Sequence, residues 1–141
     1  MSSAAIVLDA NILIRAVLGK RVRELIQAHA TTVKFFAPDV AYADARKYLP
    51  ALLTKRGVDP IPAMLVLDAL ERIVHPMDMA VYGGLQQQAL RRIEMRDADD
   101  WPVLACAMVL GCPVWTEDAD FFGTGVATWT TDRIALFLGN G

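Results

Sequence analysis

Four aspartates interrupt apolar stretches of this 141-residue chain: Asp9, Asp44, Asp100 and Asp118. Two of them follow apolar runs, in IVLDAN and PVWTED, and two lie at or near predicted helix starts, in PDVAYADARKYL and DADDWPVLACAM. Carboxylates are rarely buried without a partner. If these converge, each like-charged pair at about 4 Å and an effective dielectric of about 20 costs roughly 4 kcal/mol. We therefore expect a hard divalent cation with oxygen ligands between them.

Strands and helices alternate along the chain. Short apolar runs bounded by turn residues predict strands at 5–8, 33–37, 73–74, 113–116 and 126–130. Helical spacing and caps predict helices at 12–18, around 22–29, at 39–54, from 59 onward, at 78–95, 102–110 and 132–138. This alternation favours a three-layer α/β/α sandwich around a central parallel sheet, with residues 1–141 as a single domain.

The four aspartates would meet at one edge of such a sheet. Ligands of open parallel sheets bind beyond the carboxyl ends of the strands, and Asp9 and Asp118 lie at such ends. Asp100 begins an apolar helix, and Asp44 lies in the second turn of another. Asp44 lies on the flank of the apolar stripe expected for the helix at 39–54. That stripe consists of Ala41, Ala45, Tyr48, Leu49 and Leu52.

Each aspartate also has an ordinary structural explanation. Asp9 and Asp100 could simply cap the helices that follow them. Asp118 could shape a turn, and Asp44 could pair with Lys47 on the helix surface. Only their common position at one sheet edge favours a shared site.

Composition indicates a soluble intracellular protein. A hydrophobic content of 55% supplies a generous core. No apolar run approaches the roughly 18 residues that a membrane span needs. The N-terminus lacks a basic region followed by a cleavable apolar one.

The net charge of −2 gives no whole-protein field that would attract nucleic acid. Basic clusters nevertheless occur along the predicted helices. Each alone is typical of a solvated helix face, and together they could line a groove for a phosphate backbone. The clusters are Lys20/Arg21/Arg23, Arg46/Lys47, Lys55/Arg56 and Arg91/Arg92/Arg96.

Cysteine and histidine do not suggest a zinc site. Cys106 and Cys112 lie six residues apart, which matches neither a zinc knuckle nor a redox pair, so we expect structural thiols. His29 and His75 have no partner at metal-ligand spacing, and we expect a surface residue and a strand-end residue.

The chain resembles the PIN-domain nucleases, the fold used by VapC-type toxins of bacterial toxin–antitoxin systems. The resemblance depends on IVLDANILI, PDVAYADARKYLP and DADDWPVLACAMVLGCPVWTEDADFF, and the order of elements fits across essentially the whole chain. The last segment is the most specific, because it places an aspartate before an Ala-rich helix, then a glycine, a strand and T-x-D-x-D-F.

The resemblance assigns roles to individual residues. Asp9 is similar to the family's first metal ligand, and Asn11 to a polar residue that holds that aspartate in place. Asp44 stands where the family more often has Glu, which leaves its carboxylate one methylene short. Asp100 and Asp118 resemble the third and fourth acidic residues.

Two further residues near the fourth strand have supporting roles in this comparison. Thr116 would be a polar neighbour of the site, and Asp120 an outer partner of the metal ligands.

The resemblance implies cleavage of single-stranded or structured RNA that depends on Mg²⁺ or Mn²⁺. Such an ion can activate a water for in-line attack and stabilise the leaving oxygen. The family relation also implies a homodimer and makes an antitoxin protein a candidate partner, although stand-alone relatives exist. The composition indicates a cytoplasmic protein.

Other functions remain open. A phosphoacceptor receiver domain needs an acidic pair after the first strand, and a haloacid-dehalogenase-type phosphatase needs Asp-x-Asp there. Asn11 fits neither pattern. A PIN-like binding module without activity is the main alternative, since Asp44 replaces the usual Glu.

Overall fold

The computed structural model describes residues 4–139, whose five strands form one parallel sheet in the order β3-β2-β1-β4-β5. Each pair of neighbouring strands is parallel, with Ile6 beside Phe35 and Leu8 beside Trp115. The strands are β1 (Ala4–Leu8), β2 (Val33–Pro38), β3 (Val74–Met77), β4 (Val114–Trp115) and β5 (Thr128–Trp129). The predicted central parallel sheet is confirmed.

Helices cover both faces of the sheet. On one face lie α1 (Ala10–Leu18), α2 (Arg21–Ala28), α3 (Asp39–Lys55), α4 (Ile61–Leu70) and α8 (Ile134–Gly139). On the other lie α5 (Met79–Tyr82), α6 (Gln86–Ile93) and α7 (Trp101–Leu110). Short 3₁₀ turns occupy Gly83–Leu85, Ala98–Asp100 and Ala119–Phe121. No helix in the described part of the chain is both long and apolar enough to cross a membrane.

The layers follow from the alternation of side chains along the strands. In β1, Ile6 and Leu8 face the core beneath α1 to α4, whereas Val7 faces the core beneath α5 to α7. Residues 102–107 of α7 are all buried, as predicted for a buried helix, whereas Val109 near its end is exposed. The three-layer sandwich is therefore the observed architecture.

The sheet changes direction of growth between β1 and β4. The chain builds β1, β2 and β3 toward one edge, and then places β4 and β5 on the opposite side of β1. In parallel sheets this switch point is where ligands bind, beyond the carboxyl ends of the strands. It places the residue after β1 beside the residues after β4.

Two predicted elements were wrong in detail. The third strand was expected to end at His75-Pro76, but β3 continues through both to Met77. It tolerates Pro76 because it is an edge strand, where a missing N–H can face away from its neighbour. The predicted helix 78–95 is interrupted by the turn Gly83–Leu85, although Asp78 caps its start as expected.

Candidate metal centre

Asp9 ends β1 and is buried at the carboxyl edge of the sheet, with 7% of its surface exposed. Its Oδ1 accepts a hydrogen bond from the backbone N–H of Ile12 at 3.0 Å, so it does cap α1. Its Oδ2 accepts a second from the hydroxyl of Thr116 at 2.5 Å. Burial raises the pKa of Asp9, partly opposed by these two hydrogen bonds. Asp9 therefore caps α1 and also lines the cavity at the carboxyl edge of the sheet.

Thr116 follows β4 and is fully buried. Besides donating to Asp9, its hydroxyl oxygen accepts a hydrogen bond from the backbone N–H of Asp118 at 2.9 Å. One hydroxyl thus joins the carboxyl ends of β1 and β4. The family resemblance assigned to Asn11 the role of holding Asp9 in place. In the structure Asn11 is exposed, and the hydrogen bonds to Asp9 come from Ile12 and Thr116.

Asp100 stands at the N-terminus of α7 but does not cap it with its side chain. Its Oδ2 is buried and has no hydrogen-bond partner. Among the described residues, it is the single buried side-chain oxygen or nitrogen without one. Burial, followed by the charges of Asp97, Asp118 and Asp9, raises the pKa of Asp100 to about 8. The carboxylate is therefore held where ionisation is unfavourable unless a positive charge arrives.

Asp100 belongs to a cluster of four carboxylates. Asp97, Asp100, Asp118 and Asp120 each offer an oxygen within 4.8 Å of the others. Asp118 also accepts from the backbone N–H of Asp120 at 2.9 Å, so it shapes the turn as well. Partial burial and the charges of Asp118 and Asp97 raise the pKa of Asp120. Asp97 was not predicted, although its position three residues before Asp100 could have indicated it.

The predicted ligands surround one cavity of about 420 Å³. Among its lining residues are Asp9, Asn11, Asp44, Lys47, Tyr48, Asp100 and Asp118. A larger hollow of about 500 Å³ lies between α6, α7 and the segment before β5, but its lining has no carboxylate. Asp100 and Asp118 belong to both the cavity wall and the carboxylate cluster, which makes them the centre of the site.

Asp44 is the most exposed of the predicted ligands. It forms no ion pair with Lys47, since the ion pairs of the described residues are those of Arg46 with Asp68 and Glu71. Lys47 was predicted only as part of a basic cluster, and Tyr48 only as part of the apolar stripe of α3. Their place one turn after Asp44 on the same helix was the available signal.

The residues present fit a hard divalent cation. The donors are carboxylate oxygens, which Mg²⁺ and Mn²⁺ prefer. The buried Oδ2 of Asp100 has no partner of its own. Asp100 and Asp118 come together with Asp97 and Asp120 in a group that could hold the ion, whereas Asp9 and Asp44 lie outside that group and line the adjoining cavity.

The thiols and imidazoles lie away from this cavity wall. Cys106 is buried and Cys112 half-buried, and both are free. Burial raises the pKa of Cys106 to about 12 and that of Cys112 to about 11, as expected of structural thiols. His29 is bonded through Nδ1 to the carbonyl of Leu25 at 2.9 Å, and His75 is exposed on β3.

The fold and the acidic edge define a parallel α/β protein with a carboxylate-lined cavity at the switch point of its sheet. The family model described as "PIN domain" matches residues 7–139. The chain therefore belongs to the PIN-domain family, which is a family of nucleases. No curated protein matches the chain in sequence.

Solved structures share this fold at low sequence identity. PAE2754 from Pyrobaculum aerophilum has a TM-score of 0.73 at 14% identity, covering 98% of this chain and 91% of that one. A chain of VapBC2 from Rickettsia felis, bound to a promoter DNA fragment, has a TM-score of 0.64 at 13% identity, covering 89% and 98%. A chain of FitAcB from Neisseria gonorrhoeae has a TM-score of 0.61 at 20% identity, covering 89% and 97%.

Proposed function

We propose that this protein is an endoribonuclease that cleaves RNA phosphodiester bonds at an acidic Mg²⁺ or Mn²⁺ site. The observation that carries the proposal is the buried, unpartnered Oδ2 of Asp100 within a cluster of carboxylates at the sheet switch point. A PIN-domain chain with this arrangement is suited to hold an ion against a phosphate. Among the residues lining the cavity there is no histidine that could act as general base.

The chain's own residues supply position and charge. Thr116 fixes the carboxylate of Asp9 and the backbone of Asp118 relative to each other. Asp100 faces them from the start of α7. When bound, the ion would polarise the phosphate and activate water for in-line attack. Lys47 is the basic residue among those lining the cavity, and it is placed to contact a phosphate oxygen.

The test is cleavage of total RNA by the purified protein with Mn²⁺ or Mg²⁺ and with EDTA. We expect cleavage with metal and its loss in Asp100→Asn, by at least about 100-fold if the residue helps hold the ion. Asp99→Asn is the matched control, because Asp99 is adjacent, exposed and outside the cluster. Equal cleavage by the Asp100 variant would assign the activity to a contaminant and contradict the proposal.

The same experiment separates the alternative, a PIN-like binding module without activity. The observation that favours this alternative is Asp44, which is exposed and shorter than the Glu that the family more often has. RNA binding by wild type without cleavage in either metal would support the module. An increase in RNA cleavage in Asp44→Glu would support the nuclease hypothesis and would assign position 44 to the metal site.

We also propose a toxin–antitoxin role in the cytoplasm, with an antitoxin partner and a homodimeric state. Support comes from the VapBC and FitAB complexes among the structures of similar fold. A small open reading frame next to the gene, and growth arrest relieved by its product, would be the expected findings. Light scattering on the purified protein would give the oligomeric state, and proteolysis would test the single domain.

A further inference from the structure

The outward face of α3 forms a second hollow beside the metal centre. Its lining residues are Lys47, Tyr48, Ala51, Leu52 and Lys55, and its volume is about 350 Å³. These positions recur every three to four residues, so they lie on one side of the helix. The hollow thus runs along one face of α3, which supplies all of its lining residues, and we call it the α3 groove.

This groove continues from the carboxylate cavity. Lys47 and Tyr48 line both hollows, so the two share a wall at the second and third turns of α3. A strand whose phosphate lies at the metal centre would leave the cavity directly into the groove.

The charge changes sign along this path. The cavity lining has four aspartates, whereas the α3 groove has two lysines and no acidic residue. The ion pairs of the described residues involve Arg46, which is held by Asp68 of α4 and by Glu71, the residue after that helix. Lys47 and Lys55 form no ion pair within the described part of the chain, and they lie eight positions apart, about 12 Å along the helix.

Tyr48 presents an aromatic ring between the two lysines. It was predicted as part of the apolar stripe facing the core, but 66% of its surface is exposed, whereas Leu49 beside it is buried. Proteins that bind single-stranded nucleic acid combine a basic groove with aromatic rings on which bases stack. The α3 groove has both features.

We propose that Lys47, Tyr48 and Lys55 form a binding track for single-stranded RNA that leads from the metal centre. A base stacks on Tyr48, and backbone phosphates contact Lys47 and Lys55. This inference rests on the proposed function for its substrate. Because duplex bases are already stacked on each other, the track selects unpaired RNA.

Binding is measured by fluorescence anisotropy with a labelled single-stranded RNA of about 12 nucleotides. The Asp100→Asn background with Mn²⁺ keeps the RNA intact. Tyr48→Ala should weaken binding about tenfold or more, since stacking on an aromatic ring is worth about 1–3 kcal/mol per base. Tyr48→Phe keeps a ring and should bind like its parent.

Salt dependence tests the lysines separately. Each lost phosphate contact should reduce the slope of log K against log salt by about 0.7 for a single strand. We expect this change for Lys55→Gln and Lys47→Gln. Lys34→Gln is the matched control. Lys34 is exposed near the beginning of β2, at the amino ends of the strands, whereas the metal centre lies at their carboxyl ends.

Several outcomes would overturn the track. The track would be refuted if Tyr48→Ala bound RNA as tightly as its parent. It would also be refuted if the parent protein bound duplex RNA equally well or bound no RNA. A lower molar mass of Tyr48→Ala by light scattering would make this face a protein interface instead. RNA cleavage with an unaltered KM in Tyr48→Ala would refute the track while the proposed nuclease stands. If RNA binding depended on Tyr48 but the wild-type protein did not cleave RNA, the proposed nuclease would be refuted and the track would stand.

Discussion

At the end of β4, the hydroxyl of Thr116 donates its hydrogen to Asp9 and accepts the N–H of Asp118. Both hydrogen bonds lie in a region where water is excluded, since Thr116 is fully buried. Groups that orient metal ligands in this way commonly affect metal affinity as much as some ligands do. A single side chain therefore decides how two carboxylates from different strands are presented.

Thr116→Val removes both hydrogen bonds while keeping the shape of the side chain. Unfolding in urea should show a loss of about 1–3 kcal/mol, because Asp9 Oδ2 and the Asp118 N–H lose their partner. Calorimetric titration with Mn²⁺ should show affinity reduced by about 10- to 100-fold. Thr116→Ser retains the hydroxyl and should behave like wild type. Equal metal affinity in the valine variant would exclude the orienting role.

The raised pKa of Asp100 makes the stability of the metal-free protein depend on pH. A carboxyl whose folded pKa is raised binds more protons when folded. Its destabilisation therefore begins as pH climbs through about 4, the unfolded value, and is complete above about 8. Asp100→Asn cannot ionise and escapes this loss.

In EDTA, Asp100→Asn should thus be more stable than wild type at pH 8 and about equal to it at pH 4. The full shift would correspond to about 5 kcal/mol, and we expect about half of that because the half-buried carboxyl is screened by solvent. Denaturant unfolding across this pH range measures the difference, with Asp99→Asn as control. An asparagine variant that is less stable at pH 8 would mean that the carboxylates do not repel each other as described.

Among the secondary-structure elements, the central ones could be predicted from sequence. The run ending at Asp9 has β-branched apolar residues and is buried on both faces, and α7 is apolar all round because it too is buried. The acidic edge could be predicted too, since Asp9 directly follows β1 and Asp118 lies three residues after the end of the adjacent parallel strand β4. In these places local pattern and tertiary environment agree.

Peripheral elements and the finer site geometry could not be predicted in this way. Pro76 is compatible with β3 only because that strand lies at the sheet edge, which is a property of the whole fold. Tyr48 lies at an apolar helical spacing, yet no element of the described chain covers it. The hydrogen bond from Thr116 to Asp9 joins residues 107 positions apart, and no local pattern reports it.

The join between α7 and β4 depends on Gly111. This residue ends α7 with φ 64° and ψ 39°, the left-handed conformation, and its N–H bonds to the carbonyl of Ala107. Gly111→Ala should cost about 1–2 kcal/mol in thermal or urea unfolding, because a Cβ is strained there. Gly84→Ala is the control: an added Cβ meets nothing within 4 Å, and its backbone φ is not positive. It should stabilise by about 0.4–1 kcal/mol. Equal effects of the two substitutions would contradict the role of Gly111.

At the scale of the whole molecule, the fold gathers acidic groups that lie far apart in the chain. β1, α3, α7 and the segment after β4 each bring carboxylates to one cavity. The repulsion among them is a cost of the metal-free fold, and packing of the two cores on the sheet must exceed it. Binding of a cation would remove that cost, so metal occupancy and global stability are linked.

Divalent metal should therefore raise the melting temperature of the intact protein. At a free concentration about 100 times Kd, a ligand that binds only the folded state adds about 2.7 kcal/mol. For a protein near this size that corresponds to roughly 5–10 °C. We expect the shift with Mn²⁺ or Mg²⁺ in circular-dichroism melts, its reversal by EDTA, and its retention in Asp99→Asn. Asp100→Asn should show little of this increase in melting temperature, because the substitution removes the carboxylate whose buried Oδ2 has no hydrogen-bond partner. Equal shifts in wild type and Asp100→Asn would place the stabilising ion elsewhere on the molecule.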